Sequence, residues 1–285
     1  MRLGSFCLHS LLALAFGLLS CGKKITQKQD KIYSRQLQQH VTLTIFSTGM
    51  PADKSQLSLL LLNDGQDVQQ LKLTEILDSL HQQQAIGPLV VVAIHANNRT
   101  AEYGVAGHPD FKNRGSKAAD YAEFVTNELY AYAKKMCGVQ KFKTVAIAGM
   151  SQGGLSALDI AWNNASKINK AGIFSGSFWW RDKDITDSTY SNDKNRILLS
   201  TIRSSKKRPN LQYWFYAGDN EETSDRDIDG ITDMVDDTRD VIQLLGTKSS
   251  VGPGDITYKE IAGGKHDYVY WSRAVPAFLV WAFPN

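Results

Sequence analysis

The chain has 285 residues with 42% hydrophobic and 21% charged side chains, enough to bury one sizeable core, and no composition break divides it in two. Its formal charge of +3 is small and scattered, which excludes a nucleic-acid partner held by a basic surface. No repeat or low-complexity tract points to a solenoid or a disordered scaffold.

Arg2 precedes an apolar run from Leu11 to Leu19, too short to span a bilayer stably but suited to the core of a secretory signal. Leu18-Leu19-Ser20-Cys21 then resembles a bacterial lipobox, which implies a diacylated Cys21 at the new N-terminus. Residues 1–20 are therefore expected to be a lipoprotein signal peptide. Residues 21–39, polar and rich in lysine and glutamine, are expected to be a flexible tether, with the folded domain over 40–285. On this reading the protein is exported and lipid-anchored, on the periplasmic or outer-membrane face. Of the three cysteines, only Cys137 belongs to the domain, so no intrachain disulfide is expected.

Val41 to Phe46 alternates as an edge-type strand, and Leu57 to Leu62 is a continuous apolar run that suits a fully covered one. Thr74 to Gln84 is amphipathic, Pro88 to His95 is a valine-rich strand, and Ala118 to Met136 is a long helix. Lys143 to Met150 is a buried strand, followed by a helix from Leu155 to Trp162. Strands are expected at Lys170 to Phe174, Gln212 to Ala217 and Ile256 to Ile261, with helices over Met234 to Leu245 and Val269 to Phe283. This alternation predicts an α/β fold of the α/β-hydrolase type, a mostly parallel central sheet with helices on both faces.

Gly149-Met150-Ser151-Gln152-Gly153 joins a strand to a helix and fits the G-x-S-x-G nucleophile elbow, in which a strained turn exposes the serine hydroxyl. A serine needs an adjacent base, and the base needs a carboxylate to hold its tautomer. His266, in a glycine-rich loop after the last strand, is the only histidine beyond Ser151. The strand ending at Ala217 leads to Asp219, Glu221 and Glu222. Three residues beyond Gly218 the chain has left the strand and can turn toward His266, which ranks Glu221 ahead of Glu222 and Asp219; a Ser-His dyad without an acid is the alternative. Backbone N–H groups of Gln152 and of Gln66, after Gly65, are placed for an oxyanion hole, each worth about 3–4 kcal/mol of transition-state stabilisation. Asp64, Arg99, Trp179 and Trp180 follow strands on the same rim and are expected to line the substrate pocket, where aromatic rings could stack on a substrate.

Leu62 to Gln66, Arg99 to Tyr103, Gly149 to Gly154, Phe174 to Trp180 and Gly263 to His266 together resemble the putative-esterase group of α/β-hydrolases, which includes enterochelin and feruloyl esterases. The resemblance spans nearly all of the domain. It implies a serine carboxylic ester hydrolase with Ser151 and His266 as its pair and an acid in the Gly218 loop. Glu221 matches that position, where aspartate is common. Feruloyl, acetyl and siderophore esters all occur among the group's substrates, so the expected partner is a small-molecule or glycan-linked ester. A surface binding protein on an inactive hydrolase scaffold is the reading from another class.

Asp225-Arg226-Asp227-Ile228-Asp229-Gly230 opens a D-x-D-x-D-G calcium-loop pattern that ends at Asp236. Asp225, Asp227, Asp229, the Ile231 carbonyl, Asp233 through water and Asp236 would be the ligands of a structural Ca2+. Ester chemistry of this kind needs no cofactor.

Overall fold

The computed structural model describes residues 25–252 and 254–285. The leader and Cys21 lie outside the described residues. The strands are β1 (Thr26–Ser34), β2 (Gln39–Ser47), β3 (Ser58–Leu62), β4 (Leu89–Ile94), β5 (Val145–Met150), β6 (Lys170–Phe174), β7 (Gln212–Gly218) and β8 (Ile256–Ile261). They form one sheet of eight strands in the order β1-β2-β4-β3-β5-β6-β7-β8. β2 runs antiparallel to both β1 and β4, and every other pair is parallel.

Helices α1 (Leu73–Gln82), α2 (Arg99–Glu102), α3 (Ala118–Glu123), α4 (Tyr130–Cys137), α5 (Gln152–Asn163), α6 (Asn192–Asn195), α7 (Ile197–Ser204), α8 (Asp233–Lys248) and α9 (Tyr268–Ala282) connect or flank the strands. The expected single helix from Ala118 is continuous, but a wider π turn over Phe124–Leu129 joins α3 to α4. α2 and α6 are single turns of four residues, too short to carry a periodicity, whereas α7 is amphipathic, burying Ile197, Leu198, Leu199 and Ile202, and adds a helix to those expected from the sequence.

Because successive side chains on a strand point to opposite faces, the apolar runs divide cleanly. Leu59, Leu61, Val90 and Val92 pack with Tyr121, Phe124, Leu155, Leu158 and Val241 on one face. Leu60, Leu62, Val91 and Ala93 pack with Leu73, Leu77, Val275 and Phe278 on the other. At Gly172 a Cβ would come within 2.4 Å of the Phe278 ring, so glycine there lets α9 lie close on the sheet. The continuous runs β3, β4 and β5 are fully buried because helices cover both faces.

Two expectations are corrected. Residues 26–34, read as part of a flexible tether, are the edge strand β1, registered against all of β2. Its side chains are mostly exposed, and of the three that turn inward, Asp30, Ile32 and Ser34, only Ile32 is apolar, so the sequence carries little alternating apolar signal. The ladder to β2, with anchors such as the Ile25 N–H to Asp78 at 3.0 Å, holds it in place. β2, read as edge-type, is consequently an interior strand, while the charged residues Lys28, Asp30 and Lys31 sit on the true edge and discourage further pairing.

Candidate active site

The carboxyl end of β5 turns at Ser151 with φ 57° and ψ −123°, a conformation a side-chain-bearing residue rarely adopts, and α5 begins at Gln152. The turn is possible because Gly149 lacks a Cβ, which would lie 2.3 Å from the Gly153 oxygen. Gly153 is equally constrained: its Cβ would sit 2.8 Å from an Asp64 carboxylate oxygen. The Ser151 N–H donates to Phe174 O at 2.8 Å, and its carbonyl accepts from the Ser177 N–H at 3.2 Å. The Ser151 hydroxyl is thereby held half-buried at the N-terminus of α5, 3.3 Å from the Ser177 hydroxyl.

Two strands along the sheet from β5, β7 and the loop after β8 touch through their backbones. A Cβ on Gly218 would be 2.4 Å from Gly264 O. Asn220 N–H donates to that same oxygen at 3.0 Å, and Gly263 N–H donates to the Asp219 carboxylate at 2.6 Å. This clasp sets the position of His266. Glu221 Oε2 is 2.7 Å from His266 Nδ1, while Oε1 accepts the Gly218 N–H at 2.6 Å and the Ser175 hydroxyl at 2.7 Å. The Glu221 side chain is 1% exposed, the imidazole 33%.

A carboxylate only accepts, so Nδ1 carries the proton and Nε2 presents its lone pair outward. Trp271 stands edge-on to the imidazole at 4.9 Å between centroids, and its Nε1–H donates to the Ser175 hydroxyl at 2.8 Å. Ser175, buried and also at positive φ, follows Phe174, the residue whose carbonyl anchors Ser151. The carboxylate and the elbow are therefore one connected unit. Among the described residues the hydrogen-bond partner of the Ser151 hydroxyl is Ser177, and Ser151 makes no direct bond to His266. Both sit on the same carboxyl-end rim, where serine-to-imidazole contacts commonly tighten only around a bound substrate.

The three carboxylates considered after β7 have separate fates. Glu221 meets the imidazole; Asp219 staples the histidine loop; Glu222 turns away to line a neighbouring cavity, and burial pushes its carboxyl above the usual range.

The loop after β3 is locked beneath the helix start. Asp64 (φ 59°) accepts from Arg99 Nε at 2.9 Å and Nη2 at 3.3 Å, and the same guanidinium donates to Gln152 Oε1 at 3.0 Å and Met150 O at 3.3 Å. Asn63 Nδ2 donates to Gly153 O at 2.8 Å, and its Oδ1 accepts from the Tyr121 hydroxyl at 2.7 Å. A Cβ on Gly65 would fall 2.5 Å from the Ala93 backbone, so the turn that presents Gln66 requires glycine. As an initial helical residue, Gln152 has no intrahelical acceptor for its N–H. Arg99 thus ties the β3 loop to the first residue of α5 and to the last carbonyl of β5.

Two expected pocket residues are corrected. The Asp64 side chain, 2% exposed, is enclosed and consumed by Arg99, which offsets the cost of its burial; it does not line a pocket. Trp180 is fully buried, its ring filling the space over Gly104 and Gly115, where a Cβ would come within 2.9 Å of it. Trp179, half-buried, does line a cavity. His95 is also accounted for structurally: it bonds Thr44 Oγ1 at 2.8 Å, and burial lowers its pKa. Ser175 and Ser177 had no assigned role from sequence; their only signal was a position just beyond the end of β6.

In the acidic loop, carboxylate oxygens of Asp225, Asp227 and Asp229 can all lie within 4.8 Å of one another. Asp233 departs from the expected ligand set. It accepts the Arg226 N–H at 3.0 Å and pairs with the Arg226 guanidinium at 3.7 Å. Burial raises the pKa of Asp236, on the first turn of α8, and the like charges of Asp229 and Asp227 add to that rise.

With this geometry in view, the chain matches the Putative esterase family over residues 34–282, and it belongs to that family of α/β-hydrolase enzymes. The Uncharacterized protein YbbA of Bacillus subtilis (strain 168) is 24% identical over 227 residues, 78% of this chain and 84% of that protein. The fold matches the enterobactin esterase FES from Shigella flexneri with a TM-score of 0.68 and 22% identity, over 90% of this chain. This chain spans only 59% of that protein's length. A ferulic acid esterase superposes with a TM-score of 0.66 and 16% identity, covering 91% of this chain and 98% of its own. At such identities the solved structures establish the shared fold.

If Glu221 orients the imidazole, Glu221→Gln lowers kcat on 4-nitrophenyl acetate by about a thousandfold or more, because an amide stabilises the wrong tautomer and no longer balances the imidazolium. Asp219→Asn and Glu222→Gln are each expected to stay within about tenfold of the native rate. Equal losses in all three variants would remove Glu221 from that position.

Proposed function

We propose that this member of the Putative esterase family is a serine carboxylic ester hydrolase of the cell envelope that works through an acyl-enzyme on a carbohydrate-linked or phenolic ester, feruloyl or acetyl. The observation that carries this reading is the buried Glu221 bonded to His266 on the rim that bears the strained Ser151.

In the acylation step Nε2 of His266 takes the Ser151 proton as Oγ bonds to the ester carbonyl carbon. The carbonyl electron pair moves onto oxygen, where the Gln152 and Gln66 N–H groups receive it. Collapse re-forms the carbonyl and breaks the bond to the alkoxy oxygen, which leaves as the alcohol with the proton from His266. Water then repeats the sequence on the acyl-enzyme and releases the acid. Glu221 remains ionised throughout and stabilises the imidazolium.

A siderophore trilactone is the second reading, supported by the fold shared with Shigella flexneri enterobactin esterase. Export and lipidation at Cys21 rest on the leader pattern. Since β1 begins at Thr26, the stretch from Cys21 reaches at most about 18 Å, and the lipid would hold the sheet edge close to the membrane. The acidic loop supports a structural calcium ion on Asp225, Asp227 and Asp229, with Asp236 nearby.

Ser151→Ala is expected to reduce 4-nitrophenyl acetate hydrolysis by at least about a thousandfold; unchanged turnover would instead favour a non-catalytic binding protein. Comparing feruloyl, acetyl-xylan and enterobactin esters then chooses among substrates. Cys21→Ser should move the protein from the membrane to the soluble fraction, and continued membrane association would refute the anchor. Calcium at a hundred times its Kd should raise the melting temperature, reflecting about 2.7 kcal/mol of linkage, and Asp227→Asn should abolish that rise. Identical melting in calcium and in chelator would dismiss the cation.

A further inference from the structure

The loops after β6 and β7 contribute Trp179, Arg181 and Glu222 to a cavity of about 590 Å3, within the size range of small-molecule sites. It joins the site along two short connections. Trp179 is two residues past Ser177, the hydroxyl partner of Ser151, and Glu222 directly follows Glu221.

The cationic side chains that line it are not equivalent. Arg114 is held by Asp110, with Nε donating at 2.6 Å, and stacks over Trp179 at 4.8 Å. Arg226 is paired with Asp233 and Asp237. Arg181 and Lys112 have no such partners: among the described residues no side-chain hydrogen bond or ion pair engages either cation. The Arg181 Nε is sealed from solvent without an acceptor. Its guanidinium rests 5.6 Å from the Phe111 ring centroid and 6.0 Å from that of Trp179, and Lys112 Nζ is 5.3 Å from the Phe111 centroid. Asp184, close enough to sense both charges, is engaged by the Thr186 N–H and hydroxyl instead.

A guanidinium Nε–H sealed from solvent without an acceptor is unfavourable for folding, and a bound acceptor would recover that cost. The planar fork fits the two oxygens of a carboxylate, and an adjacent indole face fits an aryl ring.

Resting on the serine esterase reading above, we propose that this cavity binds a carboxylate-bearing aryl group of the substrate, with Arg181 and Lys112 as the residues that select it. The aryl ring packs on Trp179 and the carboxylate meets the two cations. The group can enter on the acyl side or on the alcohol side of the ester, and the two sides are separable by experiment.

The full chain is assayed on two matched pairs: 4-nitrophenyl benzoate against 4-nitrophenyl 4-carboxybenzoate for the acyl side, and phenyl acetate against 4-carboxyphenyl acetate for the alcohol side. In one pair the carboxylated ester is expected to have a kcat/KM about tenfold or more above its neutral partner, through a lower KM, the size of one charge-assisted hydrogen bond. Arg181→Gln and Lys112→Gln should each bring that ratio toward one, with Arg181→Lys restoring part of it. Lys112 is exposed, so its variant remains informative even if Arg181→Gln fails to fold. A ratio at or below one in both pairs, or a preference that survives both substitutions, overturns the assignment. Loss of neutral-ester hydrolysis in Ser151→Ala alongside a ratio of one would sink this inference alone; retained hydrolysis in that variant would sink the esterase reading itself.

Discussion

The backbone strain at Ser151 is the constraint from which the rest of the site follows. A residue at φ 57° persists only where its surroundings leave it no alternative. Here the Ser151 N–H is fixed to β6, its carbonyl to Ser177, and the flanking glycines are in contact too close for any side chain. The strain places a polar hydroxyl at the start of a helix and at the mouth of the sheet, the one edge where loops from many strands converge.

Two buried carboxylates stabilise that edge by opposite means. Asp64 is neutralised by Arg99, whose remaining donors reach the first residue of α5 and the last carbonyl of β5. The pair therefore behaves as a bracket between the β3 loop and the elbow. Glu221 has no guanidinium partner. Its charge is met by a hydroxyl, a backbone N–H and the imidazole, so much of its stabilisation is directed at a group able to become cationic. One carboxylate holds two loops together; the other holds the imidazole.

The surrounding elements explain how a common scaffold accommodates different esters. The sheet and its covering helices match an enterobactin esterase and a ferulic acid esterase at low identity, because buried strands and helix faces tolerate many apolar combinations. The loops after β6 and β7 carry Trp179, Arg181 and Glu222, and changes there alter charge and aromatic surface without disturbing the elbow.

Periodicity and motif were enough to anticipate the sheet's parallel strands, the elbow and the loops that bear His266 and Glu221, since each is encoded within a few consecutive residues. The same local signals missed β1, whose inward positions carry a single apolar residue, Ile32, and misjudged β2, whose position depends on that weakly marked neighbour. They also assigned Trp180 and Asp64 to an open pocket. Burial of Trp180 depends on Gly104 and Gly115 arriving from far along the chain, and enclosure of Asp64 depends on Arg99. Thus the order of strands, turns and chemically capable residues was contained in the sequence by itself. Which carboxylate meets the imidazole, which rings face solvent and which cations remain unpaired were decided only by tertiary structure, because those properties arise from distances between segments that local spacing does not specify.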